Sequence, residues 1–237
     1  MIRTIAWYSN FVLTLAAATP KLYKVRLLDK AGKHREKTEY VHKTTSKWAS
    51  SQVKMSGARI NIHGLENIPE DIPVVFISNH QSNFDIALFM SCIDKPKGYI
   101  SKHEMGKVPL LRSWMRAMNC VFMDRSSLRK SAEAIAEGVK ILKGGHSLVI
   151  FPEGTRSKGD TMGEFKAGSI KLATKAGVPI VPVTIKGSYK LMESNNSMIK
   201  PADVELFIHP MIETANLSKE EQDLLNDKLV EIIKSKL

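Results

Sequence analysis

Three short polar clusters each close an apolar run, and their residue types could do acid-base and phosphate chemistry. "NHQSNFD" (79–85) follows "VVFIS" directly and sets His80 and Asp85 five positions apart. "MDRSS" (123–127) ends "CVFMD" and offers Arg125, while "PEGTRS" (152–157) follows "SLVIF" and offers Glu153 and Arg156. If a helix begins near Ser82 or Asn83, Asp85 falls in its first turn and can reach back to His80. A carboxylate there would accept the Nδ1 proton and leave Nε2 as a general base, a role worth typically about 10² to 10⁴ in rate. A plainer reading stands beside it: Asn79 or Ser82 caps the helix, Asp85 favours its positive end, and His80 is a loop histidine. Arg125 and Arg156 make a fork suited to phosphate, with Lys102 at the end of "GYISK" as a third cation; surface ion pairing is the alternative for each.

The elements that must position these clusters are legible from Gly57 onward. Short apolar runs, "RINIH", "VVFIS", "GYIS", "CVFMD", "SLVIF", "VPIVPVTIK" and "VELFIH", alternate with helix-length segments at 83–93, 107–118, 127–143, 166–176 and 218–236. Near-continuous apolar runs suit strands buried on both faces, so the reading is an α/β fold: a mixed, mainly parallel sheet flanked by helices, over residues 57–237. Ligands in such sheets bind beyond the carboxyl ends of the strands. If the three strands are neighbours, their clusters converge on one site. The chain shows no GxSxG elbow, Walker phosphate loop, GxGxxG or HExxH, and no metal-ligand spacing. Cys92 and Cys120 sit among apolar neighbours without CxxC spacing and read as reduced core residues.

Charge divides the chain unevenly. Residues 1–59 hold 12 Lys and Arg against 3 acids, a net of +9, whereas residues 60–237 hold 23 against 21, a net of +2. Before the basic residues lies "TIAWYSNFVLTLAAAT" (4–19), which carries no charge. Sixteen helical residues span about 24 Å, short of the roughly 30 Å hydrocarbon core of a bilayer, which argues against a crossing helix. A secretory signal is the rival, but Ser9 and Asn10 interrupt the apolar run, and Lys21, Lys24 and Arg26 follow at once, as on a cytoplasmic face. From 33 to 54, Tyr40, Thr44 and Trp48 make a stripe with Lys43, Lys47 and Lys54 along one edge, a pattern suited to a helix in a membrane interface. Residues 1–56 therefore read as a basic, amphipathic, two-helix membrane-anchoring segment; the alternative is a solvated helix packed on the body. The predicted partner is an anionic membrane surface, held peripherally or monotopically at its cytoplasmic face, and no nucleic acid, since no recognised nucleic-acid module is present.

Taken together, the clusters resemble the glycerophospholipid acyltransferase family, and within it the lysophosphatidic acid acyltransferases. Four blocks occur in the family's order: N-H-x4-D as "NHQSNFD", G-x-x-F-x-x-R as "NCVFMDR", "FPEGTRS", and a V-P-V block as "VPIVPVTIKG", spanning about residues 60–190. The resemblance implies that His80 is the catalytic base and Asp85 its orienting carboxylate. It implies that Arg125, Glu153, Gly154, Thr155 and Arg156 serve glycerol phosphate binding, with Lys102 near the phosphate and Pro182 matching the last block. It implies transfer of an acyl group from acyl-CoA or acyl carrier protein, as co-substrate, to lysophosphatidate, with no further cofactor and no metal. Another acceptor, such as glycerol 3-phosphate or another lysophospholipid, and a non-catalytic lipid-binding protein remain alternatives. One departure is visible: Asn119 stands where the second block has glycine.

Overall fold

The computed structural model describes residues 1–237, the side chain of Ala167 excepted. Its centre is a seven-stranded sheet: β1 (Arg59–His63), β2 (Val75–Ser78), β3 (Lys97–Lys102), β4 (Val121–Met123), β5 (Ser147–Ile150), β6 (Ile180–Lys186) and β7 (Asp203–Ile208). The spatial order is β1-β7-β6-β2-β5-β3-β4. Every pairing is parallel except β6 with β7. This is the mixed, mainly parallel sheet that the apolar runs predict.

Successive residues of a strand face opposite sides, and here both sides are covered. In β2, Phe76 enters a core beneath α3 (His34–Ser56) and α4 (Phe84–Cys92). Val75 and Ile77 enter a second core with α6 (Leu128–Lys143), α7 (Ile170–Ala176) and α8 (Lys219–Lys234). All three β2 side chains are fully buried, which is why the run has no polar alternation. Helix α6 starts at the Ser127 cap and α8 at a Ser218–Glu221 capping box, each signalled by its sequence. Helix α5 (Pro109–Ala117) begins with proline in its first turn, and the stretch His103–Lys107 ahead of it forms a 3-10 turn. Both cysteines are free, and burial pushes the Cys120 thiol up to about 12.

Residues 1–56 form three helices, not two: α1 (Ile2–Ala18), α2 (Lys21–Lys30) and α3. The addition, α2, has ten residues and buries only Val25, so its helical pattern is too short to read; contact with α3 and α5 supports it. Helix α3 also differs from its predicted placement. It turns Val41, Thr45, Ala49 and Val53 into the body, against α4. Tyr40 and Trp48 lie under the first two helices, where Trp48 Nε1 donates to Thr14 Oγ1 (3.0 Å) and Lys24 Nζ stands 4.4 Å from the Tyr40 ring centre. The stripe read as a membrane face thus seats other helices, while Lys43, Lys47 and Lys54 stay exposed.

Helix α1 is built the other way round. Its inner face carries Trp7 with the polar Asn10 and Thr14, joined to Gln52 of α3: Asn10 Nδ2 to Gln52 Oε1 at 3.2 Å, Gln52 Nε2 to Thr14 Oγ1 at 3.0 Å, and Trp7 Nε1 to the Gln52 carbonyl at 3.0 Å. Its outer face shows Ile2, Ile5, Val12 and Leu13, each more than 60% exposed. No helix of the described residues is long and apolar enough to cross a membrane. The Trp7 ring meets Phe84, the first residue of α4, at 5.2 Å, so this segment touches the helix that carries Asp85.

Candidate active site

Strands β2, β5, β3 and β4 are consecutive neighbours and all parallel, so their carboxyl ends share one edge of the sheet. The three clusters therefore meet, as a parallel sheet requires. At the end of β2 the chain enters α4 through a turn built on Asp85. Its Oδ2 accepts from His80 Nδ1 (2.7 Å), Gln81 N (2.7 Å) and Ser82 N (2.8 Å), and its Oδ1 accepts from Ser188 Oγ. Asp85 is wholly buried, and its four donors replace the hydrogen bonds that its carboxyl group loses on leaving water. An acceptor-only carboxylate places the proton on Nδ1, leaving the Nε2 lone pair of His80 for chemistry. The His80 ring lies stacked on Phe151, with centres 4.2 Å apart and planes 19° from parallel. Between them Asp85 and Phe151 leave the imidazole one orientation.

The capping alternative also resolves by residue. Asn79 bonds both backbone groups of Ile185 in β6 at 2.8 Å, so it ties two strands together instead of capping α4. Ser82 Oγ accepts from Phe84 N at 3.0 Å and takes the capping part. The pair and the cap coexist because they use different atoms.

Glu153 is 6% exposed, and its carboxylate goes to backbone amides: Oε1 accepts from His80 N (2.6 Å) and Oε2 from Gly163 N (2.8 Å). Burial pushes its carboxyl up, against those two amides, which favour the charged form. Its contacts hold the His80 loop against the 153–166 loop, and its sign is wrong for receiving phosphate. Gly154 has φ +72°, and a Cβ there would stand 2.1 Å from Arg125 Nη1. That guanidinium donates to the Gly154 carbonyl at 2.8 Å. The left-handed backbone favours glycine here, and a side chain would also push the Arg125 guanidinium from its place. Arg125 and Thr155 are exposed at this edge, and Lys102, also exposed, pairs in register with Met123, two residues before Arg125. Arg156 Nη1 donates to Glu193 Oε1 at 2.8 Å. A cavity of about 490 Å³ opens beside these residues, lined by Glu153, Thr155, Ser157, Met162 and Lys166 among others.

Asn119 adopts φ +59°, the left-handed conformation that glycine would supply and that asparagine tolerates better than most residues. The departure from the second block therefore keeps its turn, and Arg125 arrives at the shared edge. Pro182 lies inside the sheet, opposite Ile77 of β2. Ser188, Glu193 and Phe151 are site residues that the clusters did not announce. Phe151 opens the "FPEGTRS" run and could have been found there; Ser188 lies more than 100 positions from Asp85, and Glu193 more than 100 from Ser82 and 37 from Arg156, with no local signal.

A strand-end histidine–carboxylate pair with cations beside it on such a sheet suits an acyltransferase, and the Acyltransferase family model matches residues 59–186, more than half of the chain, which belongs to that family. Among its relatives, the 1-acyl-sn-glycerol-3-phosphate acyltransferase of Borreliella burgdorferi is 32% identical over 183 residues, or 77% of this chain and 73% of that protein. The chloroplastic enzyme of the same name from Arabidopsis thaliana is 36% identical over 73% of this chain, which spans 49% of that longer protein. The crystal structure of the 1-acyl-sn-glycerophosphate (LPA) acyltransferase PlsC from Thermotoga maritima matches with a TM-score of 0.82 at 29% identity, covering 99% of this chain and 95% of that one.

Proposed function

We propose that this chain moves a fatty acyl group from an acyl thioester to the free hydroxyl of 1-acyl-sn-glycerol 3-phosphate, giving phosphatidic acid. The observation that carries the reading is the His80–Asp85 pair: a buried, fourfold-bonded carboxylate fixing one tautomer of a histidine at the sheet edge where cations gather. His80 Nε2 removes the hydroxyl proton as that oxygen attacks the thioester carbonyl. The tetrahedral oxyanion then collapses, the C–S bond breaks, and the leaving thiolate takes the proton back from the imidazolium. No enzyme nucleophile takes part, so neither a serine elbow nor a reactive cysteine is needed; Cys120, with its raised thiol, suits a core role. Arg125, Arg156 and Lys102 supply charge for the acceptor's phosphate. The donor is acyl-CoA or acyl carrier protein, and no further cofactor enters the route.

The acceptor and the product are both lipids, so the site must work at a bilayer surface. The outward apolar face of α1 and the exposed lysines of α3 suit peripheral or monotopic attachment to an anionic, cytoplasmic leaflet. Purified protein given lysophosphatidate in anionic vesicles, with acyl-CoA or acyl carrier protein thioester, should yield phosphatidic acid by mass spectrometry. Preference for glycerol 3-phosphate or an uncharged lysolipid would overturn the acceptor.

A further inference from the structure

The stretch "SYKLMES" (188–194) follows the fourth block, yet its side chains reach the reacting end of the molecule. Gly187, at φ +87°, turns the chain back on itself, and two 3-10 turns, Ser188–Leu191 and Glu193–Asn195, carry it under the His80 loop with Leu191 fully buried as its anchor. Ser188, itself fully buried, donates to Asp85 Oδ1, the oxygen that His80 does not use. The Glu193 side chain is 4% exposed and accepts from Ser82 Oγ (2.6 Å), Asn83 N (2.9 Å) and Arg156 Nη1 (2.8 Å). Tyr189 OH reaches across to Asp160 in the 153–166 loop at 2.8 Å.

We propose that Ser188 and Glu193 are positioning residues with separate tasks: Ser188 locks the Asp85 carboxylate, and through it the His80 ring, whereas Glu193 holds the Arg156 guanidinium ready for the acceptor's phosphate. An arginine has five N–H donors in one plane. Anchoring one of them on a buried carboxylate holds the guanidinium at this edge and restricts its rotamers, which spares part of their ordering when the phosphate arrives. Glu193 also grips Ser82 and Asn83 at the start of α4, so one carboxylate sets the spacing between the phosphate side and the base. For Ser188 the consequence is electrostatic. Without its hydroxyl, the Asp85 charge is shared among fewer donors and draws harder on the His80 proton; the other charged groups around this loop are Glu153, Glu193 and Arg156.

The inference rests on the acyl-transfer reading, and steady-state kinetics with lysophosphatidate and with a monoacylglycerol lacking phosphate separate the two. Ser188→Ala should lower kcat about tenfold, the scale of one hydrogen bond to a charged group, with the acceptor KM unchanged and the acid limb of the kcat profile moved to higher pH. Ser188→Thr should restore both. Glu193→Gln should raise the KM for lysophosphatidate about tenfold, change the KM for the monoacylglycerol much less, and add nothing to the KM effect of Arg156→Ala. Variants that lose only thermal stability, or a Glu193→Gln loss that adds fully to Arg156→Ala, would overturn the assignment. A wild-type protein that releases no thiol sinks the acyl-transfer reading instead. In that case NMR titration of the His80 ring still decides the Ser188 task, since the midpoint must rise in Ser188→Ala.

Discussion

Strand β2 and helix α1 treat their side chains in opposite ways. The strand hides Val75, Phe76 and Ile77 completely, between two helical layers. The helix keeps Asn10 and Thr14 within, bonded to α3, and turns Ile2, Ile5, Val12 and Leu13 outward. A sheet residue gains by leaving water for protein, whereas an exposed row of aliphatic side chains has no such partner within the chain. One molecule thus carries two solvation patterns: a body built to fold in water and an attached helix whose outer face suits hydrocarbon. The catalytic candidates sit on the first, and Trp7 against Phe84 links the two.

The largest effect expected from breaking this contrast lies in the body. Asp85→Asn keeps the shape but replaces an acceptor by an amide, which favours the wrong His80 tautomer; kcat should fall by about 10² to 10⁴ while vesicle binding is unchanged. Charging the outer face of α1 is the reverse experiment. Ile5→Asp combined with Leu13→Asp removes two exposed apolar side chains, each worth roughly 1.5–3 kcal/mol when buried, so co-sedimentation with anionic vesicles should weaken at least about tenfold. The melting temperature should hold, because neither side chain supports the fold; a drop in melting temperature with intact vesicle binding would show the face to be core.

A third effect is read as stability, not activity or binding, where α3 meets the sheet. Lys97 is 4% exposed, donates to the carbonyls of Ile93 and Lys95, and lies near His42 of α3 and His146. Burial pushes its ammonium down to about 7, below the ordinary 10.5. Between these values the unfolded chain binds the proton that the folded chain releases, so stability should rise with pH across this window and be lost as pH falls from 10.5 to 7. Denaturant unfolding at the two ends of the window should show this rise in the wild type and a flatter line in Lys97→Met.

What the sequence reveals depends on how local the physics is. His80 and Asp85 are legible because a strand end and the first turn of a helix bring residues five apart into contact. Convergence of Arg125, Glu153 and Arg156 is legible because parallel neighbouring strands end on one edge. Ser188 and Glu193 are not, since their contacts with Asp85 and Ser82 cross more than 100 residues and depend on where β6 lies in the sheet. Helix α3 misleads for a different reason: it has neighbours on two sides, so its aromatic stripe and its buried stripe both have helical spacing, and the pattern alone cannot say which one meets the body. In α1 the polar residues point inward, and only the partner Gln52 explains them.

Thiol release by His80→Ala decides whether this imidazole is the base. With acyl-CoA or acyl carrier protein thioester and lysophosphatidate in vesicles, the variant should keep the wild-type melting temperature and vesicle binding and lose roughly 10² to 10⁴ in kcat. Thiol release at the wild-type rate from that variant would contradict the central claim, that an imidazole held by Asp85 at the end of β2 takes the acceptor's proton.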